Sequence, residues 1–128
     1  MTAPLPRLLV VDDNTDLLEF FQLAIAREGF EVSVAEDGAK ALGMLSSFKP
    51  DIILLDLMMP VLDGFQFIDR LKAERILDIP VVIMTGYWEE GRERQLRQEP
   101  MVAEFLRKPV KLNELLPLLR AVLAKHRP

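Results

Sequence analysis

The sequence predicts an α/β fold in which helices cover both faces of a parallel sheet. Three observations support this prediction. Short apolar runs alternate with helical patterns along the chain, which gives five strands interleaved with five helices. The strands before Asp12, Asp56 and Thr85 are continuous aliphatic runs, as is typical of strands buried on both faces. Half of the residues are hydrophobic, so a chain of 128 residues can bury a full core.

Each element is predicted from its local pattern. The predicted strands are residues 8–11, 31–35, 52–55, 81–84 and 105–107. The second of these, "EVSVA", alternates apolar and polar residues and therefore indicates an edge strand. The first helix begins at Asn14 or Thr15 and ends near Arg27, before Gly29; the others cover 39–47, 65–74, a charged fourth segment and 112–125. Pro117 within the last helix predicts a kink or a later helix start.

Composition limits the class of protein. The formal net charge is −4 and there is no cysteine, which excludes disulfides and thiolate metal sites and does not favour nucleic-acid binding. The first residues lack the features of a signal peptide, and no apolar stretch approaches the roughly 20 residues that span a bilayer. We therefore expect one cytoplasmic domain over residues 1–128, with no output domain, no direct nucleic-acid contact and no membrane insertion.

Polar residues follow four of the predicted strands at their carboxyl ends. They are Asp12 and Asp13 after the first strand, Asp56 after the third, Thr85 after the fourth and Lys108 after the fifth. Because the carboxyl ends of parallel strands meet at one edge of a sheet, where ligands bind, we expect these side chains to converge. Any one of them alone is explained as a helix cap, a turn residue or a surface charge. Their joint occurrence at four strand ends indicates a functional site.

Three carboxylates at one edge of a sheet repel each other unless a cation compensates for their charge. Mg²⁺ suits such a site, because it is held by one or two carboxylates together with water and phosphate oxygens. Lys108 adds a positive charge suited to phosphate, and the hydroxyl of Thr85 can donate a hydrogen bond to it. A carboxylate beside a metal and a lysine is a candidate nucleophile toward phosphorus. We therefore predict that Asp56 forms an aspartyl phosphate.

Four sequence blocks carry a resemblance to a known family. They are "LLVVDDN", "DIILLDLMMPVLDGF", "VVIMTG" and "FLRKP". In this order they resemble the signature blocks of the receiver domain of two-component response regulators, and the resemblance covers essentially the whole chain. It implies a flavodoxin-like, doubly wound sheet of five parallel strands in the order 2-1-3-4-5, with five helices.

The resemblance also implies a role for each residue of the acidic site. Asp56 matches the phosphoacceptor of the family. Asp12 and Asp13 match the acidic pair that holds Mg²⁺, with Asp13 the better candidate for a direct ligand. Asp56 would complete the metal site together with the backbone carbonyl of Met58. No cofactor other than Mg²⁺ is implied.

Three further residues match the switch of the family. Thr85 matches the switch hydroxyl, Lys108 the phosphate-pairing lysine and Phe105 the switch aromatic. The bond between Lys108 and Pro109 is usually cis in the family. After phosphorylation, Thr85 would move toward the phosphoryl oxygens and Phe105 would turn inward, which changes the surface formed by the fourth helix, the fifth strand and the fifth helix.

The implied function is a phosphorylation-dependent signalling switch, not an enzyme with turnover, although the domain would assist its own phosphorylation and slow dephosphorylation. The phosphoryl group would come from a histidine of a partner kinase or phosphotransfer protein, because the only histidine of the chain, His126, lies in the last predicted turn. The changed surface would contact a downstream protein or an output domain. A phosphorylation-dependent homodimer is a further option. Apolar residues of the first helix, Leu18 among them, are candidates for kinase docking.

The sequence departs from the family pattern near the fourth helix. Met101 and Val102 stand where the family commonly has a Gly-Ala pair. Because the helix also has few apolar residues and an internal Gly91, we expect it to be short, displaced or mobile. Tyr87 is a candidate to screen the phosphoryl group from water, and simple coverage of apolar surface explains it equally well.

Three other functions fit the residues less well. A phosphatase of the haloacid-dehalogenase type needs a nucleophile and an acid two residues apart and a cap domain, whereas Asp12 and Asp13 are adjacent and the chain is short. A pure interaction module would not need the set of acids, threonine and lysine. A flavin carrier of the same fold would need a phosphate-binding Ser/Thr/Gly loop after the first strand, which the sequence lacks.

Overall fold

The computed structural model describes residues 4–86 and 90–126. The strands are β1 (Arg7–Val11), β2 (Glu31–Ala35), β3 (Ile52–Asp56), β4 (Val81–Thr85) and β5 (Val102–Arg107). The helices are α1 (Thr15–Ala26), α2 (Gly38–Phe48), α3 (Gly64–Ala73), α4 (Glu90–Arg97) and α5 (Leu112–His126). Strands and helices alternate as the sequence predicts. In the part of the chain described, no helix combines the length and the apolarity that crossing a bilayer requires.

The five strands form one parallel sheet in the order β2-β1-β3-β4-β5. This confirms both the predicted α/β class and the strand order 2-1-3-4-5. The alternating strand β2 lies at an edge, as its pattern indicates, and the continuous aliphatic strands β1, β3 and β4 lie in the middle. The carboxyl ends of the three central strands therefore lie side by side.

Alternate residues of the strands enter two separate cores. One core joins Leu8, Val10, Ile52 and Leu54 to buried side chains of α1 and α5, such as Phe21 and Leu119. The other joins the intervening strand residues to α2, α3 and the end of α4. Because the side chains of a strand alternate between faces, a strand covered on both sides must be apolar throughout. This explains why the central strands carry no internal polar residue.

Several element boundaries differ from the predicted ones. Strand β5 begins at Val102, three residues before the predicted start. Its first residues are only partly buried and lack a continuous apolar run, so the sequence pattern does not reveal them as part of the strand. Helix α2 begins at Gly38, where the side chain of Asp37 accepts a hydrogen bond from Lys40 and caps the helix. Helix α5 begins at Leu112, as predicted, so of the two effects expected of Pro117 the later helix start does not occur, and the kink stays a prediction. Pro117 lies on the exposed side of the helix.

Helix α4 has eight residues in the part of the chain that the structure describes, which agrees with its predicted shortness. Its displacement and mobility stay predictions. The chain leaves the helix through backbone hydrogen bonds from Gln98 to Gln95 and from Glu99 to Leu96. Among the described residues of this turn none has a positive φ, so the missing glycine costs nothing in this conformation.

Candidate functional site

The predicted acidic residues lie together at the carboxyl edge of the sheet. Strands β1 and β3 are neighbours, and Val11 is paired with Leu55. Asp12 and Asp56, the next residue after each of these two, are therefore adjacent. One carboxylate oxygen from each of Asp12, Asp13 and Asp56 lies within 4.8 Å of the other two. The predicted convergence of the three carboxylates is therefore what the fold produces.

Asp12 is fully buried, and both of its carboxylate oxygens have partners. Its Oδ2 accepts a hydrogen bond from Nζ of Lys108 at 2.7 Å. Its Oδ1 accepts one from the backbone N–H of Asn14 at 2.9 Å. The side chain of Asn14 in turn accepts from the backbone N–H of Leu17 and caps α1. Asp12 therefore fixes the loop between β1 and α1 and does not cap the helix.

Asp56 is 3% exposed and its charge is only partly compensated. Its Oδ2 lies 3.4 Å from Nζ of Lys108, and its Oδ1 accepts a hydrogen bond of 3.3 Å from the backbone N–H of Met58. Burial and the nearby charge of Asp12 raise the pKa of Asp56 to about 6, against the opposing effects of Lys108 and Met58. Asp56 is thus a buried carboxylate whose ionised form the fold does not fully stabilise.

Lys108 joins the acidic cluster to the neighbouring strand. Its backbone N–H donates to the carbonyl oxygen of Thr85 at 2.9 Å, and its bond to Pro109 is cis. Burial by itself would lower the pKa of Lys108, but the hydrogen bond to Asp12 and the charges of both carboxylates raise it. The lysine therefore stays positively charged beside Asp12 and Asp56.

The two predicted switch residues lie on neighbouring strands. Thr85 ends β4 and is 1% exposed. Phe105 of β5 is paired with Ile83, which lies two residues before Thr85 in β4. Phe105 is 8% exposed and belongs to the core. The guanidinium of Arg97, at the end of α4, covers the ring at 4.8 Å from its centroid. No local sequence pattern predicts this contact.

Gly64 is a site residue to which the sequence analysis assigned no role. A Cβ at this position would lie 2.7 Å from the carbonyl oxygen of Asp56 and 2.6 Å from Cα of Leu57. The N–H of Gly64 donates to Leu57 at 2.9 Å, and Asp63 and Gln66 form a capping box at the start of α3. The start of α3 is therefore packed directly against the backbone of Asp56. The "DG" pair in the sequence was the available signal.

The apolar residues of α1 divide into two groups. Leu18 is 4% exposed and belongs to the core, so it does not offer a docking surface. Phe20 and Leu23 are 53% and 61% exposed. These two residues therefore form the exposed apolar surface of α1. Tyr87, the candidate screen of the phosphoryl group, lies outside the described residues.

The donor set fits a hard divalent cation. The three carboxylates converge, and Mg²⁺ prefers oxygen ligands of this kind. Both oxygens of Asp12 are already engaged, whereas Asp13 is exposed at the mouth of the site. Asp13 and Asp56 are therefore the carboxylates best placed to bind a cation directly.

Comparisons with known proteins identify the family of the chain. The family model of the response regulator receiver domain matches residues 8–120. Over 122 residues the chain is 35% identical to the Response regulator MprA of Mycobacterium avium (strain 104), and the match covers 95% of this chain and 53% of that protein. The protein of the same name from Mycobacterium tuberculosis (strain H37Rv) is also 35% identical, with 95% and 52% covered. The chain thus spans about half the length of these curated relatives.

Solved structures of receiver domains share the fold. The receiver domain of the Francisella response regulator 1452 superposes with a TM-score of 0.85 at 27% identity, covering 95% of this chain and 99% of that one. The chemotaxis protein CheY4 of Vibrio cholerae gives a TM-score of 0.83 at 25% identity, with 92% and 98% covered. With the family model matched over residues 8–120, the chain belongs to the response regulator receiver domains of two-component systems.

Proposed function

We propose that this domain is a phosphorylation-dependent signalling switch in which Asp56 accepts the phosphoryl group. One observation carries the assignment to this residue. Asp56 is a nearly buried carboxylate within ion-pair distance of Lys108 and beside two further acids, at the carboxyl edge of a parallel sheet. A merely structural aspartate would be fully paired, as Asp12 is. The pKa of Asp56 is raised to about 6, so at neutral pH the residue is still mostly ionised and able to act as a nucleophile.

The chemistry follows from the charges around Asp56. One carboxylate oxygen of Asp56 attacks the phosphorus of a phosphohistidine on the partner protein, and a new P–O bond forms. The P–N bond breaks, and the histidine nitrogen leaves with its electron pair. Lys108, 3.4 Å from Asp56, balances the negative charge of the transferring group from one side. Transfer from acetyl phosphate follows the same course, with acetate as the leaving group.

The same residues prepare the metal site. Asp13 and Asp56, with the backbone carbonyl of Met58, would hold Mg²⁺, and the bound ion would supply positive charge to the phosphoryl oxygens. Asp12 holds Lys108 and the loop at Asn14, so it orients the site through these two contacts.

The switch residues would respond to the new charge on Asp56. Thr85 would donate a hydrogen bond to a phosphoryl oxygen, and its movement would favour the inward orientation of Phe105. The structure already has the ring of Phe105 inside the core, so phosphorylation would stabilise this arrangement instead of creating it. The output surface would be that of α4, β5 and α5.

The proposed partners follow from this surface and from the site. A sensor histidine kinase or a histidine phosphotransfer protein would supply the phosphoryl group, docking near the exposed Phe20 and Leu23 of α1. A downstream protein, an output domain or a second phosphorylated copy would bind the output surface. Residues 1–128 would act in this scheme as one receiver domain.

Intact-mass spectrometry tests the proposal. The protein is incubated with acetyl phosphate and Mg²⁺, and the Asp56→Asn variant and a sample with excess EDTA are run beside it. We expect one phosphoryl adduct on the parent protein and none in either control. An adduct of equal yield on the variant would place the phosphoacceptor elsewhere. If neither acetyl phosphate nor a histidine kinase produces an adduct, the proposed function is wrong.

A further inference from the structure

Arg97 makes three contacts around the switch aromatic. Its guanidinium carbon lies 4.8 Å from the ring centroid of Phe105. Its Nε lies 3.0 Å from Oε1 of Glu93, one turn earlier in α4. Its Nη1 lies 3.6 Å from Oε1 of Glu104, and the same oxygen accepts a hydrogen bond from the backbone N–H of Phe105 at 3.3 Å. The two carboxylates therefore hold the guanidinium group over the ring.

Helix α4 has little other apolar attachment to the domain. Among the described residues of the helix only Leu96 is buried. The guanidinium carbon of Arg92 lies 4.6 Å from the ring centroid of Phe65, near the start of the helix. Two of the contacts that connect α4 to the body are thus arginine side chains lying over aromatic rings. The hydrophobic effect alone does not fix the position of this helix.

We propose that Arg97 is a positioning residue that holds Phe105 in its inward orientation and thereby couples α4 to the phosphorylation site. This inference deepens the proposed function and rests on it. A ring that turns outward leaves the stack with Arg97, while Glu93 and Glu104 keep the guanidinium in place. The inward ring is therefore stabilised by an interaction that the outward ring cannot make.

The size of the effect follows from known cation–π contacts. A contact of this kind at a partly exposed site changes a population ratio by about two- to fivefold. An interaction of this strength shifts the ratio of inward to outward rings without fixing it. Phosphorylation can therefore still change the orientation of Phe105. Because coupling is reciprocal, a variant that releases Phe105 should also lower the phosphorylated fraction of Asp56.

Fluorine NMR tests the orientation of the ring directly. 4-Fluorophenylalanine is incorporated at position 105 alone, and its chemical shift is compared in H₂O and D₂O, because an exposed fluorine shows a larger solvent isotope shift. The variants are Arg97→Gln, Arg97→Lys and the matched control Arg94→Gln. Arg94 is exposed on the same helix, and within the described parts of the chain it has no ion pair or ring contact.

We expect Arg97→Gln to increase the isotope shift through an outward population raised about two- to fivefold. Arg97→Lys should restore part of the difference, because lysine keeps the charge but not the planar fork. Arg94→Gln should match the parent protein. A parent-like spectrum for Arg97→Gln would overturn the proposal, and so would an equal change in Arg94→Gln. If Arg97→Gln proves too unstable to study, Glu104→Gln tests the same stack.

A double-mutant cycle connects the ring to phosphorylation. Arg97→Gln should lower the phosphorylated fraction at limiting acetyl phosphate up to about fivefold, and this effect should vanish in a Phe105→Ala background. An unchanged effect in that background would show that Arg97 acts without the ring. The NMR measurement requires no phosphorylation. Failure of the phosphoryl adduct to form therefore overturns the proposed function and leaves the role of Arg97 in holding the ring to be decided by the spectra.

Discussion

The ammonium nitrogen of Lys108 lies 2.7 Å from Oδ2 of Asp12 and 3.4 Å from Oδ2 of Asp56. The lysine thus pairs primarily with the acid that is not the proposed nucleophile. Asp56, at 3.4 Å, receives a weaker share of this positive charge. Because Asp56 is also buried, its pKa is raised to about 6. The site therefore has unbalanced negative charge at neutral pH, and this has measurable consequences.

Replacing Asp56 by asparagine should stabilise the protein at pH 7.5. The pKa of Asp56 is about 6 in the folded protein against an ordinary value of 3.8, so the folded state binds this proton more tightly. This contribution to stability is fully present below the unfolded value and is lost as the pH rises through about 6. A shift of this size corresponds to about 2–3 kcal/mol, and we expect Asp56→Asn to recover part of it. Urea denaturation without divalent cations measures the difference.

The same comparison at pH 4.5 distinguishes charge from packing. At pH 4.5 Asp56 is mostly protonated in the folded parent but still mostly ionised in the unfolded chain, so the advantage of the asparagine variant should shrink to about a third of its value at pH 7.5. Asp69→Asn, on the exposed face of α3, serves as the control and should change little at either pH. A constant advantage of Asp56→Asn across this range would mean that its origin is not the charge of Asp56.

Mg²⁺ should raise the stability of the parent protein at pH 7.5. An ion that binds only the folded state adds about 1.4 kcal/mol at ten times its dissociation constant. Thermal unfolding with MgCl₂, against NaCl at the same ionic strength, measures this increase. Asp13→Asn should abolish most of it, whereas Asp69→Asn should retain it. A full response of Asp13→Asn to Mg²⁺ would show that Asp13 is not a ligand.

Most of the fold was predictable because its central strands are buried on both faces. A strand such as β3 can contain no internal polar residue, so its end is visible in the sequence as the first carboxylate, Asp56. Strand β5 lies at an edge, where burial is partial, and its first residues therefore carry no such pattern. The largest error in a predicted boundary is therefore at the start of β5, where burial constrains the sequence least.

The acidic site was predictable for the same reason, and its supporting contacts were not. The parallel order of the strands brings Asp12, Asp56 and Lys108 to one edge whatever the details of packing. The stack of Arg97 on Phe105 depends on where α4 lies against β5, which no local pattern encodes. Contacts between elements that are distant in the sequence become visible only in the folded structure.

Gly64→Ala should destabilise the protein and impair phosphorylation together. The added Cβ would lie 2.7 Å from the carbonyl oxygen of Asp56, and both atoms belong to well-packed segments that can move little. Overpacking of this kind costs about 1–3 kcal/mol. Because the strain falls on the backbone of Asp56, the rate of adduct formation with acetyl phosphate should fall as well. Urea denaturation and intact mass measure the two effects.

Gly43→Ala is the matched control for this substitution. Gly43 lies within α2, and a Cβ there meets nothing within 4 Å. Alanine in a helix interior is favoured over glycine by about 0.5–1 kcal/mol, so this variant should gain stability and phosphorylate normally. If both variants changed stability and adduct formation equally, the contact with the backbone of Asp56 would not be the cause of the Gly64→Ala effects.

Val61→Asn should stabilise the loop that follows β3. Val61 has a φ of 68° and is 79% exposed, so a β-branched side chain is held in the left-handed region with little burial in return. Asparagine tolerates this conformation, and we expect a gain of about 1 kcal/mol in urea denaturation. Val61→Thr keeps the branched shape while adding polarity, and it should leave stability nearly unchanged. If the threonine variant gained as much as the asparagine variant, exposed hydrophobic surface, not backbone strain, would be the source of the instability.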